Sequence, residues 1–304
     1  MVARRKRACV SHMAKKIKRT IQVGPIEATQ GSDTLTRMAI LLWGPSTCGK
    51  STWSATAPGT KLWLSFGDEE HKSVMHRDDV LVANLASLGI EELFKHAQSD
   101  NPFGLDKILA ENEDIATVVC DSATAITYRA LQKAVLDKVG ASRKENFVPT
   151  MEQPGRSAYG GRNAIVLETL QGLLRITAKH NVHLIVTAHE DDPTTTKDGQ
   201  GNDIIDYIGI MLGGKIMNNM TWRFSEIWYM SQKTTGGKER QIAVRPTRQR
   251  RPIKTRMFSN LGEPEFILKY DADASDKGQM TIASLYDEWV DNGYRKIVVP
   301  GSKL

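Results

Sequence analysis

The chain has 304 residues, 40% of them hydrophobic and 25% charged, with a net charge of +6, the balance of an ordinary soluble protein with one large domain or a domain plus appendages. No apolar run approaches the roughly 18 residues of a membrane span, and the N-terminus lacks the apolar centre of a signal peptide, so a membrane or secreted protein is excluded and a cytoplasmic one expected. Cys9, Cys48 and Cys120 have no metal-ligand spacing, which agrees.

Charge is segregated. Residues 1–20 carry eight basic side chains and no acid, so the rest of the chain is slightly acidic. Residues 1–35 are expected to be a basic tail, with Met13 a candidate internal start. A second block, Lys233 to Arg256, holds nine basic residues against Glu239 alone. Such segregation suits a polyanion, nucleic acid first, although a basic tail can also be merely solvated.

In chain order, the apolar run 38–43 predicts a buried strand and leads directly into Gly44-Pro45-Ser46-Thr47-Cys48-Gly49-Lys50-Ser51, followed by Thr52. This fits the phosphate loop G-x-x-x-x-G-K-[ST]. Its backbone N–H groups must converge on phosphates, and glycines permit the close approach. Lys50 is expected to reach the β- and γ-phosphates and the Ser51 hydroxyl to bind Mg²⁺. The helix that follows should end early, at Pro58-Gly59. Strand 61–66 comes next and opens into Gly67-Asp68-Glu69-Glu70-His71. One of these carboxylates orients or activates the attacking water, Glu69 first and Asp68 second, or the cluster is a solvated turn.

Helices are predicted over 90–98, 103–112, 123–139 and 162–180, and a strand over 115–120 ending in Asp121-Ser122. Asp121 is the expected Mg²⁺ partner, at the strand end where open parallel sheets place ligands, with helix capping as the competing role. Residues 143–162 read as a loop. Strand 182–188 ends in His189-Glu190-Asp191, and His189 is a candidate sensor of the γ-phosphate. Residues 191–220 read as a long loop. Strand 225–230, hairpin-like pieces with a turn at Gly236-Gly237 and strands at 240–244 and 266–270, and a helix at 280–291 complete the α/β pattern of a mostly parallel sheet with a C-terminal hairpin extension.

Together these residues resemble the RecA-like ATPase core. More narrowly, Gly44 to Thr52, Val118 to Ser122 and Leu184 to Glu190 are similar to phage-encoded RecA-like ATPases of the Sak single-strand-annealing group. The resemblance covers roughly residues 36–270, leaving 271–304 as a C-terminal helix and tail. It implies an ATP- and Mg²⁺-dependent enzyme with phosphate on Lys50 and Ser51, metal on Asp121 and a sensor at His189. The catalytic carboxylate departs from the pattern: Ser65-Phe66-Gly67 stands where relatives place an Asp-Thr-Glu-like stretch, so Asp68 or Glu69 substitutes in a shifted register. It also implies that 191–220 faces DNA, with Lys215, Asn218, Asn219 and Arg223 in contact. Arg245, Arg248 and Arg256 are candidates for reaching a neighbour's nucleotide, while Arg245, Arg250 and Arg251 are candidates for the DNA backbone.

The leading expectation is a DNA-dependent ATPase of phage-type recombination that binds single strands as a ring or filament. The alternatives are a packaging or replication motor, a nucleotide-gated DNA-binding or annealing protein with little hydrolysis, and a small-molecule kinase. Trp222 is expected to pack against the sheet rather than stack on bases. The terminal Ser302-Lys303-Leu304 has the form of a peroxisomal address and is read as coincidence.

Overall fold

The computed structural model describes residues 21–23, 26–28, 37–67, 70–98, 100–141, 150–213, 216–233 and 239–302. The chain forms two compact units, Met1–Thr36 and Arg37–Leu304. In the first, β1 (Ile21–Val23) and β2 (Ile26–Ala28) make a small antiparallel hairpin. The basic residues 1–20 lie outside the described residues.

The second unit is built on an eight-stranded sheet. Its strands are β3 (Ala39–Gly44), β4 (Thr60–Ser65), β5 (Val80–Asn84), β6 (Ile115–Asp121), β7 (His183–His189), β10 (Glu226–Gln232), β11 (Arg240–Ala243) and β12 (Glu265–Leu268). They lie in the order β12-β11-β10-β3-β7-β6-β4-β5. From β10 to β5 every pairing is parallel, and β11 and β12 extend the sheet antiparallel. The chain steps from β3 over two positions to β4 and returns, so connections diverge on either side of β3, and that divergence opens a crevice at its C-terminal end. Between β7 and β10, β8 (Thr194–Lys197) and β9 (Asp203–Tyr207) form a separate exposed hairpin.

The central strands read as continuous apolar runs because both their faces are covered. Ala39, Leu41 and Trp43 of β3 point into one core with Val118, Cys120, Val186 and Ala188. Helices α2 (Ile90–Ala97), α3 (Leu105–Glu111), α4 (Ala123–Ala141), α5 (Gly155–Lys179) and the short α6 (Ile216–Met220) lie along the same chain, and apolar residues of each join that core. Ile40 and Leu42 point the other way, toward Trp53 of α1 (Lys50–Ser54) and Ile282, Leu285 and Trp289 of α7 (Ile282–Asp291). A capping box at Thr281 and Ser284 starts α7. Among the described residues no helix is long and apolar enough to cross a membrane.

Several boundaries differ from the sequence expectation. Helix α5 begins at Gly155, inside the stretch read as a loop, and β5 is an additional edge strand. The segment 191–220 is no featureless loop: it holds β8, β9 and α6. The turn at Gly236-Gly237 lies outside the described residues.

Glu226, at the start of β10, is 2% exposed and holds the following basic segment in place. It accepts hydrogen bonds from Trp228 Nε1 (2.9 Å), Thr255 Oγ1 (2.5 Å), and the Arg256 and Met257 backbone N–H groups (2.8 and 3.2 Å). Burial raises its pKa and these donors oppose the rise. Glu226→Ala would leave buried donors without an acceptor and is expected to cost about 2–3 kcal/mol, measured by urea unfolding.

Candidate active site

The site is assembled at the C-terminal ends of neighbouring parallel strands. β3 leaves the sheet at Gly44, where a Cβ would fall 1.9 Å from the Met230 carbonyl oxygen of β10, so only glycine can turn away this close to its neighbour. At Gly49 the surroundings are ordinary, with nothing nearer than 3.4 Å to a built Cβ, but φ is +97°. Backbone conformation, not crowding, selects glycine there. Lys50 follows, 6% exposed, and turns back over the loop: its Nζ donates to the carbonyls of Pro45 (2.6 Å) and Gly44 (3.1 Å) and lies 3.8 Å from Cys48 Sγ. Burial raises the Cys48 pKa against the pull of Lys50 and Arg240, so Cys48 packs as a thiol. Helix α1 is short, ending before Pro58-Gly59 as the sequence suggests.

Two strands away, β6 delivers Asp121. Thr187 of the intervening β7 donates to Asp121 Oδ1, whereas Oδ2 is buried without a hydrogen-bond partner among the described residues. Burial raises the Asp121 pKa, and Thr187, Ser51 and Lys50 pull it back. The Asp121–Ser122 peptide is cis.

β4 ends at Ser65, level with Asp121, and the chain then enters a 3-10 turn at Glu70–Val74. Glu70 reaches back into the site. Its Oε2 accepts from the Gly67 N–H (3.1 Å) and its Oε1 from Ser122 Oγ (3.1 Å). Burial, seconded by the Asp121 charge, pushes its pKa up to about 7. The neighbouring His71 Nδ1 lies 3.2 Å from Ser65 Oγ.

His189 closes β7, level with Gly44. Its backbone N–H donates to Thr124 Oγ1 (2.9 Å), and its carbonyl accepts from the Met211 N–H (2.9 Å). Burial lowers its pKa, and Lys50 lowers it further, so the ring is neutral at physiological pH. One cavity of about 440 Å³ is lined by Ser46, Thr47, Gly49, Lys50, Ser51, Thr52, Glu70, Ser73, Asp121 and His189. A phosphate loop, an acid with an unpartnered oxygen, a carboxylate held near neutrality and a neutral imidazole therefore share one space.

A family model described as an AAA domain (AAA_24) matches residues 36–256. The chain belongs to this AAA-domain family. Its described core is an α/β fold with a mostly parallel central sheet, and the phosphate-loop motif leaves that sheet at Gly44. Among solved structures it is similar to a crystal structure of the RadB recombinase, with 13% identity, a TM-score of 0.37, and 68% of this chain and 79% of that chain covered. No curated protein matches the sequence.

The remaining sequence-predicted residues of the AAA domain are more dispersed. Asp68, Glu69 and Lys215 lie outside the described residues, as does the side chain of Asn218, whose backbone is in α6. Asn219 is exposed. Trp222, expected against the sheet, is instead 63% exposed, with the Arg223 guanidinium 4.4 Å above its ring. The short 3-10 turn that carries Trp222 lies ahead of β10, and buried Phe224 fills the core position beside it.

Of the arginines, Arg245 is engaged: it donates to the Asn260 carbonyl (2.7 Å) and to that of Gly262, bracing the turn before β12. Arg250 stacks over Tyr229 (4.8 Å), whose hydroxyl donates to Glu190 (2.9 Å). Arg248, Arg251 and Arg256 are exposed, and none of them lines the cavity. The segment after β7 is laced to this block, because the Ile208 N–H donates to the Gln249 carbonyl (2.6 Å).

Glu70 adjoins the two sequence candidates Glu69 and Asp68, and Thr187, Ser122 and Thr124 support the site without being named among the sequence candidates. The available signal for Glu70 is its spacing of three from Gly67, which lets the carboxylate return to that N–H.

Proposed function

We propose that this AAA domain is a Mg²⁺-dependent ATPase that acts on nucleic acid in phage-type recombination, binding single-stranded DNA as an oligomer. The observation that carries the reading is the convergence of Lys50, Asp121, Glu70 and His189 on one cavity. The buried, unpartnered Asp121 Oδ2 with Ser51 beside it fits a hard cation that prefers oxygen ligands, so Ser51 and Asp121 would hold Mg²⁺. When bound, the metal supplies positive charge for the phosphate oxygens. Lys50 adds its own charge there, and the amides of residues 45–50 supply donors for the rest of the polyphosphate.

Glu70 is the carboxylate best suited to take a proton from the attacking water. Its two oxygens are oriented by Gly67 and Ser122, and its pKa of about 7 matches a base working at neutral pH. Neutral His189 would hydrogen-bond the terminal phosphate and pass its loss to the segment that Met211 ties to its carbonyl. Exposed Arg248 and Arg256 would reach the nucleotide of a neighbouring subunit. Lys215, Asn218, Asn219, Arg223, Arg250 and Arg251 would contact DNA.

The test is the ATPase rate with no DNA, with single-stranded and with duplex DNA, across a salt series. Stimulation by single strands that fades with salt is expected. Stimulation by duplex alone would point to a packaging or replication motor. Nucleotide-dependent DNA affinity without turnover would point to a gated binding protein, and either result overturns the proposal.

A further inference from the structure

Tyr128 stands on α4, and 59% of its surface is exposed. It makes no hydrogen bond or ring contact with any described residue. Among the described residues, Tyr128 lines two cavities. One cavity of about 450 Å³ runs from Tyr128 past Arg162 to Glu70 and His189, and another of about 350 Å³ is bounded by Phe66, Ile90 and Arg129.

Each cavity has an arginine in its wall, Arg162 in the first and Arg129 in the second. Arg162 lies 4.9 Å above the exposed Tyr159 ring, and Gly213 leaves room for it, since a Cβ there would fall 2.5 Å from the Arg162 NH2 nitrogen. Arg129 is fixed by the carbonyls of Leu85, Ala86 and Leu88. An exposed ring that lines two cavities, each with an arginine in its wall, matches a base and its adjoining phosphates. Every base has a face that stacks on an aromatic ring whatever the sequence, and guanidinium serves both phosphate and π-face. In a duplex those faces are already occupied by neighbouring pairs, so the matching polymer is single-stranded. A protein side chain would use the apolar walls but not the paired cations.

We propose that Tyr128 is the stacking platform for a base of a single-stranded nucleic acid, with Arg162 and Arg129 flanking the backbone. This rests on the proposed nucleic-acid-dependent ATPase and adds a contact outside residues 191–220. Glu70, Ser122 and His189 line the same cavity as Tyr128, so a strand bound there would lie beside the groups proposed to carry and sense the chemistry.

The experiment uses the full chain, a non-hydrolysable ATP analogue with Mg²⁺, and a labelled oligo-dT strand followed by fluorescence anisotropy. Tyr128→Ala is expected to weaken binding roughly tenfold or more, whereas Tyr128→Phe and Tyr128→Trp keep it within about threefold, because stacking needs the ring and not the hydroxyl. Arg162→Ala is expected to lower the slope of log affinity against log salt by about one. An iodouracil-bearing strand should crosslink to the peptide carrying Tyr128. Thermal melts establish that the variants are folded. If the wild type binds no oligonucleotide, both this proposal and the nucleic-acid reading fall. If the wild type binds and Tyr128→Ala binds equally well, or Tyr128→Ala changes only the oligomeric state, the platform alone is overturned.

Discussion

Lys50→Ala is expected to lower ATP hydrolysis by about 10²–10³-fold or more while leaving a cooperatively folded protein. Lys50 is the buried cation of the cavity, and a charge aimed at developing phosphate charge in a water-poor site is worth that much. The fold should tolerate the loss because the Gly44 carbonyl, one of the two that Lys50 Nζ bonds, also accepts from the Glu190 N–H (3.1 Å). Turnover assays beside a thermal melt check both halves. Unchanged turnover would remove the phosphate loop from the chemistry.

Glu70→Gln is expected to lower kcat by about 10²–10⁴-fold with little change in KM for ATP, since in the proposed role the carboxylate acts on water and does not hold phosphate. In the wild type the rate should climb as pH rises through about 7, where Glu70 loses its proton, and the variant should lack that limb. A second readout is independent of nucleotide. Because the folded-state pKa is raised above the ordinary 4.5 to about 7, the group's contribution to stability is full below 4.5 and is lost as pH rises through 7. The uncharged glutamine escapes that loss, so Glu70→Gln should melt above the wild type at pH 8, with the gap shrinking toward pH 5. Equal melting temperatures at pH 8 together with an unaltered rate profile would exclude Glu70 as the base.

How far the sequence discloses this molecule depends on what each segment is surrounded by. β3, β6, β7 and β10 are legible because burial on both faces writes them as apolar runs. β5 is not, because it is the sheet's edge, with Leu81 and Val82 exposed and Asp78-Asp79 just before it. The start of α5 is hidden by Gly160-Gly161, which read as breakers. In the structure a Cβ at Gly161 would lie 3.2 Å from that of Ala134, so this glycine serves the close crossing of α4 and α5. At the site, the loop, Asp121 and His189 are legible as strand-end residues. The supports are not, since Thr187, Ser122 and Thr124 act through partners far along the chain.

The opening of α4 grips two things at once. Ser122 holds the Glu70 carboxylate and Thr124 holds the His189 backbone, so the proposed base and the proposed sensor hang from a single three-residue bracket. A tilt at the start of that helix would move both supports together, so the carboxylate and the strand end would shift in one stroke.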